Sequence, residues 1–296
     1  MHVCTTEKLP DEAMEALSPY EVRPMEADQA EDCDVIMCWG LSEETLRGAR
    51  SLKAIQTFSA GVDHLPFRAI PKRVRIFSNA GAYSVPVAEH AFALVLYLAK
   101  RLSAGRDVPR VQLQGKTALV FGAGGIGTQA AHLAKAFGMK TIGASRHPAP
   151  SPEFDQVISA ERVDEILPTS DVVLIATPLN RGSAGFFNDS RLLMMKQGAI
   201  LVNVGRGEIV DEGALYEVLR SGKICYGTDV LWRDREGKEG TSYQFQDLPC
   251  FISTPHVASG NSKDVRERAM LMAARNVRSY LDTGTAQNEV NPSDYL

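Results

Sequence analysis

Apolar residues along this chain follow two rhythms. Short β-rich runs, "HVCT", "DVIMCW", "KAIQTF" and "VRIF" early on, then "TALVFG", "KTIGA", "DVVLIAT", "AILVNV" and "FISTP", are separated by stretches with helical spacing. Such alternation predicts parallel strands buried on both faces by crossover helices. The rhythm breaks at "VPVAEHAFALVLYLAKRL", one long helix with Pro86 at its start, where a missing N–H is harmless. This helix divides the chain into a small α/β unit of about four strands and a larger one beginning at Lys116. A last stretch, "SKDVRERAMLMAARNVRSYL", places Val265, Ala269, Met272, Ala273, Val277 and Leu281 on one helical face. That stripe has to be buried, but periodicity does not say against which unit.

With 296 residues, the chain is long enough for two domains with cores of their own. Its 44% hydrophobic and 23% charged residues match a soluble globular protein, and no run approaches the roughly 18 apolar residues of a membrane span. The opening "MHVCTTEKLPDEAMEAL" lacks a basic head followed by an apolar stretch, so a cytoplasmic location is expected. A net charge of −4 with interspersed signs argues against nucleic acid and leaves a small molecule as the expected partner. The five cysteines, Cys4, Cys33, Cys38, Cys225 and Cys250, form no CxxC pair and mostly sit in apolar runs; buried, reduced, non-catalytic thiols are expected.

Residues 117–138, "TALVFGAGGIGTQAAHLAKAFG", set Gly122, Gly124 and Gly127 at GxGxxG spacing between an apolar strand and a helix. The glycines permit a tight turn, close approach of backbone to a pyrophosphate, and close helix-to-strand packing. Gly125 and Ile126 fall at the helix start, where free N–H groups and the positive dipole end attract an anion. The alternative is a turn that serves packing alone.

An NAD site of this kind places an acidic residue about 20 positions after the motif, where it holds the ribose hydroxyls. Here the second strand, "KTIGA", ends at Ser145, and Thr128 to Pro152 contains no Asp or Glu. A carboxylate would repel a 2′-phosphate, whereas Ser145, Arg146 and His147 offer donors to it. NADP(H) is therefore the preferred cofactor, with NAD(H) as the alternative should Arg146 and His147 be solvated loop residues.

Together with "TFSAGVDHL", "NAGAYSVPVAEHAFAL", "LQGKTALVFGAGGIG", "SDVVLIATPLN", "MKQGAILVNVGRGEIVDEGAL", "TDV" and "TPHVAS", these features resemble the D-isomer-specific 2-hydroxyacid dehydrogenase family over most of the chain. The resemblance implies an α/β protein of two doubly wound domains. A Rossmann cofactor domain, residues 86–260, is inserted into a smaller flavodoxin-like substrate domain, residues 1–85 and 261–296, with the active site in the cleft. It also implies a homodimer with the long helix from Val87 in the interface.

The resemblance further implies roles for individual residues. Arg206 holds the substrate carboxylate and polarises the 2-oxo group, a task for a planar fork of donors. His256 is the acid/base for the carbonyl oxygen. The N–H groups of Ala60 and Gly61 bind the carboxylate, and Thr177, Pro178, Val204, Gly205, Asp229 and His256 lie along the cofactor. His64 and His90 fall in the matched motifs and are read as structural. One departure stands out: the family places a glutamate five positions after Asp229 to hold the catalytic histidine, and this chain has Asp234 there, with Glu236 as the fallback. Trp232 and the charged run Arg233 to Glu239 either shape the substrate pocket or face solvent. The implied activity is interconversion of a small 2-oxo acid, such as glyoxylate or hydroxypyruvate, with the D-2-hydroxy acid, without a metal. Rival readings are an NAD-dependent dehydrogenase, a formate dehydrogenase, and a dinucleotide-sensing binding protein of the corepressor type.

Overall fold

In the computed structural model, which describes residues 1–25, 30–234, 236–260 and 262–296, the chain forms two units: Met1–Tyr83 with Asn261–Leu296, and Ser84–Gly260. The first begins with β1 (His2–Thr5), α1 (Asp11–Leu17), β2 (Glu21–Pro24), β3 (Val35–Cys38), α2 (Glu43–Gly48), β4 (Ala54–Thr57) and β5 (Arg75–Phe77). The second contains α3 (Ser84–Lys100), β6 (Thr117–Phe121), α4 (Gly125–Ala136), β7 (Lys140–Ser145), β8 (Gln156–Ser159), α5 (Val163–Ile166), β9 (Val172–Ile175), α6 (Asp189–Met194), β10 (Ala199–Asn203), α7 (Glu212–Arg220), β11 (Ile224–Thr228), β12 (Trp232–Arg233), β13 (Glu239–Gly240) and β14 (Phe251–Ser253). The chain then returns to the first unit as α8 (Lys263–Thr283).

The first sheet is parallel, in the order β2-β1-β3-β4-β5 of flavodoxin-like folds. Val3, Val35, Met37 and Ala54 on one of its faces pack with Leu17 of α1 and with Met270, Ala273, Ala274, Val277 and Leu281 of α8. This settles where the last helix buries its stripe. Met270 and Ala274 belong to that stripe in place of Met272, which is only half-buried. Ser262 caps α8 through Val265 N–H, and Gly284 ends it in the left-handed conformation. One strand more than expected is present: β2, "EVRP", is a largely exposed edge strand whose charges gave no apolar run.

The expectation that all five thiols are reduced is corrected by a Cys4–Cys33 disulfide with Cα atoms 5.8 Å apart. The two residues are far apart in sequence, but parallel pairing of β1 with β3 lays the start of β3 beside Cys4. Cys38, Cys225 and Cys250 are free.

The second unit carries a seven-stranded sheet in the order β14-β11-β10-β9-β6-β7-β8, with every pairing parallel, which is the doubly wound Rossmann arrangement. The strand order reverses between β6 and β9, and the turn after β6 lies at that switch point. Apolar runs did not reveal β8, "QVIS", an edge strand, or β11, "ICYGT", whose glycine and polar residues disguise a wholly buried strand. Among the described residues no helix is long and apolar enough to cross a membrane.

Candidate active site

The turn between β6 and α4 is shaped by two glycines. Gly122 has φ +108°, and a Cβ there would stand 2.7 Å from the Ala176 backbone; at Gly127 it would stand 2.0 Å from the Gly122 carbonyl oxygen. Backbone this close leaves no room for a side chain, which lets α4 start directly over the end of β6. The first bond into α4 is Thr128 N–H to Gly124 O at 2.8 Å, so among the described residues the N–H groups of Gly125, Ile126 and Gly127 have no acceptor. They present an anion site of the type built at helix N-termini.

Beside this turn lies a pocket of about 230 Å³, lined among others by Gly122, Gly124, Ser145, Arg146, His147, Thr177 and Pro178. None of its lining residues is acidic. At its rim the Ser145 hydroxyl accepts from His147 N–H at 3.2 Å, curling the end of β7 so that exposed Arg146 and His147 border the pocket. Glycines without Cβ atoms, free amides and an absence of carboxylates fit a phosphate-bearing dinucleotide. Val204, buried, and Gly205 follow β10; Val204 N–H donates to Ile175 O at 3.0 Å, joining this turn to the end of β9.

Arg206 leaves the same turn. Buried Asn203 ties it down, accepting from Gly205 N–H at 2.9 Å and donating to Arg206 O at 2.8 Å. Gly207 permits Leu231 to approach so closely that a Cβ would stand 2.4 Å from its carbonyl carbon. Arg206 itself is half-buried, and its Nη1 donates to Gly205 O at 2.7 Å.

His256 sits on the loop after β14 with φ +55°, a strained conformation for any residue but glycine. Asp229, 2% exposed, holds that loop: its carboxylate accepts from Val257 N–H at 2.9 Å, Ala258 N–H at 2.8 Å and the Thr254 hydroxyl at 2.5 Å. Because Thr254 gives its proton to Asp229, His90 Nε2 donates to Thr254 Oγ1 at 2.8 Å, a structural role for His90 within the second unit. Asp229 thus acts on the conformation of His256 through the backbone.

The partner of His256 is Glu239, whose Oε1 lies 2.8 Å from Nδ1. The bond to Glu239 and its charge raise the His256 pKa above the ordinary value, against burial and the Arg206 charge. Burial pushes the Glu239 carboxyl up, but the bond from His256, the His256 and Arg206 charges and the Leu231 N–H outweigh it and hold the pKa below the ordinary range. Arg206 is therefore close enough to act electrostatically on both members of the pair.

The expected partner, Asp234, is corrected. Its Oδ1 accepts from Glu236 N–H and Lys238 N–H, both at 2.9 Å, and so caps the turn of a hairpin in which Arg233 pairs with Glu239 and Trp232 with Gly240. The fallback, Glu236, is exposed in that turn. A hairpin returns the chain, so the residue that reaches His256 comes from its second strand. The signal was present in "WRDREGKEG": an aspartate three positions before a glycine marks a turn, which places Glu239 opposite Arg233. Trp232 is half-buried; it stacks on Phe245 at 5.5 Å and donates to Val210 O at 2.7 Å.

Ala60 and Gly61 belong to the first unit, on the loop after β4, where the Ser59 hydroxyl donates to Gly61 O at 2.8 Å. Among the described residues their N–H groups have no acceptor. His64 is exposed, with Nε2 2.5 Å from Trp39 O. Among the described residues no group of three or more His, Cys, Asp or Glu could hold a metal.

Residues 93–258 match the family described as D-isomer specific 2-hydroxyacid dehydrogenase, NAD binding domain. A D-3-phosphoglycerate dehydrogenase of Archaeoglobus fulgidus is 30% identical over an alignment of 271 positions that covers 85% of this chain and 50% of that protein. The chain thus spans about half the length of that relative. It covers 86% of a glyoxylate reductase of Aeropyrum pernix, which is 28% identical over 92% of this chain. A solved structure described only as a candidate formate dehydrogenase, from Pyrobaculum aerophilum, has a TM-score of 0.87 and 29% identity, with full coverage of both chains.

Proposed function

Since the chain belongs to the D-isomer specific 2-hydroxyacid dehydrogenase family, we propose that it is an NADP(H)-preferring reductase of small 2-oxo acids, with glyoxylate and hydroxypyruvate as first substrates. The observation that carries this reading is the His256–Glu239 pair, 2.8 Å apart, within the electrostatic reach of Arg206. Bound NADP(H) supplies or accepts the hydride at the substrate's C2. Arg206 binds the carboxylate and polarises the oxo oxygen. His256, with Nδ1 held by Glu239, presents Nε2 to that oxygen, gives it a proton in reduction and takes one in oxidation. Ala60 and Gly61 are proposed as further carboxylate donors through their free N–H groups.

The preference for NADP(H) rests on the acid-free lining of the pocket and on Ser145, Arg146 and His147 at its rim. A carboxylate is what would select the ribose hydroxyls of NAD, and among the described residues none lines the pocket. A homodimer built on α3 is part of the proposal and is checked by sedimentation.

The test is kcat/KM for NADPH and NADH with glyoxylate and hydroxypyruvate, alongside formate with the oxidised cofactors. Turnover with NADPH as the better cofactor is the expected result. Clear superiority of NADH overturns the cofactor assignment, and formate oxidation as the dominant reaction overturns the substrate class. Tight NADPH binding with no turnover of any substrate leaves a binding protein.

A further inference from the structure

We propose that Cys250 and Cys225 form a dithiol in which Cys250 is the site attacked by hydroperoxides and Cys225 closes the product to a disulfide joining β11 to β14. Cys225 is in β11, and Cys250 directly precedes β14. Tyr226 and Phe251 are register partners and Tyr226 N–H donates to Cys250 O at 2.8 Å, so the two cysteines stand side by side one position earlier. Neighbouring parallel strands lie about 4.8 Å apart, inside the roughly 4.4–6.8 Å between Cα atoms that a disulfide spans. Each sulfur is close enough to shift the titration of the other.

Arg101, just past the end of α3, reaches the pair. Its Nη1 donates to Cys250 Sγ at 2.6 Å, and its backbone takes φ +49°, an unusual conformation for arginine. A guanidinium on a sulfur favours the thiolate, which is the nucleophile. Contact with Cys225, and then Arg101, hold the Cys250 thiol below its ordinary pKa against the opposing effect of burial. The same contact, with burial, holds the Cys225 thiol up as the protonated partner. Cys250 is partly exposed whereas Cys225 is buried, the arrangement of an attacked and a resolving sulfur. Cys38 is the contrast within the chain: burial alone pushes its thiol up to about 12.

In the first step the Cys250 thiolate attacks a hydroperoxide oxygen. An S–O bond forms, the O–O bond breaks, and the leaving oxygen takes a proton; Cys250 is oxidised by two electrons to the sulfenic acid as the peroxide is reduced. In the second, the Cys225 sulfur attacks Cys250 sulfur, the S–S bond forms, the S–O bond breaks, and the hydroxide departs as water with the Cys225 proton. Thiol chemistry reads this without turnover, so the inference is independent of the proposed activity.

The full chain is treated with hydrogen peroxide, alkylated and peptide-mapped. A Cys225–Cys250 linkage that dithiothreitol reverses, with Cys38 unmodified, is the expected result. In Cys225→Ser, Cys250 should accumulate as a sulfenic acid trapped by dimedone. In Arg101→Met its reaction with peroxide at neutral pH should slow on the order of tenfold. Cys225→Ala repeats the trapping should the serine variant fold poorly, and iodoacetamide alkylation of the unaltered protein against pH should show Cys250 reacting below the range of an ordinary thiol. No linkage, or a Cys250 reactivity unchanged in Arg101→Met, overturns the proposal.

Discussion

The proposed cofactor pocket and the hairpin that carries Glu239 lie in the same unit, yet they are built differently. The pocket is made where one strand meets the helix that follows it: Gly122 to Gly127 hold the phosphate turn, and Ser145 to His147 close the rim one strand further on. As proposed, it would hold a phosphate through backbone amides, which no single side chain supplies. At the hairpin, residues 232–240, one carboxylate from a two-residue strand reaches a histidine on a loop that is itself held in a strained conformation by buried Asp229. Substitutions in the pocket should therefore alter cofactor choice and leave the chemistry, whereas substitutions at the hairpin should do the reverse.

His256→Gln gives the largest separation. Loss of the acid/base should lower kcat/KM for reduction by roughly 10²–10⁴-fold, with the NADPH dissociation constant, read by fluorescence, unchanged. An equal loss of cofactor binding would mean that the two regions are not independent.

Glu239→Gln comes next, with a fall on the order of a hundredfold and a shift in the pH profile. Glu239 raises the His256 pKa, and reduction needs the protonated imidazole, so kcat/KM holds below that pKa and declines as pH rises through it. Removing the carboxylate charge should move this limb to lower pH, and for oxidation, which needs neutral His256, should move the rising limb the same way. A pH profile that does not move would detach Glu239 from the chemistry.

Arg146→Ala acts on the other region. Loss of a charge-assisted contact should cost NADPH on the order of tenfold in kcat/KM, while NADH is unaffected. No loss for either cofactor would return Arg146 to the solvated surface, and equal losses for both would detach it from the 2′-phosphate.

The smallest effect is expected from Asp234→Asn. The amide oxygen still accepts from Glu236 and Lys238 N–H, so stability should change by less than about 0.5 kcal/mol and kcat/KM by less than about twofold. A large fall in activity would restore Asp234 as the histidine's partner at the expense of Glu239.

Much of this molecule is readable because its determinants are local. Apolar runs at β3, β4, β6, β9 and β10 mark strands buried on both faces, and "GAGGIG" marks a turn whose first and last glycines, Gly122 and Gly127, are demanded by nearby backbone. The missing carboxylate after β7 is visible as composition alone. β2 and β11 escape because an edge strand needs no apolar run, and because Gly227, close under Leu94 and Leu98 of α3, interrupts the apolar run of β11. Arg206 and His256 emerge from ordered motifs rather than from their residue types, since one histidine among six carries little weight.

By itself, the amino-acid sequence determined the family, the two parallel sheets, the glycine turn, the acid-free rim of the proposed cofactor pocket, and Arg206 and His256 as the site residues to test. Only the tertiary structure decided that Glu239 and not Asp234 meets His256, that α8 buries its stripe in the first unit, that Cys4 joins Cys33, and that Cys225 stands beside Cys250 under Arg101. The first group depends on residues within one strand–turn–helix stretch, whose geometry the local chain dictates. The second depends on strand register and on a hairpin that reverses the chain, where a shift of one residue would bring a different side chain to the same place.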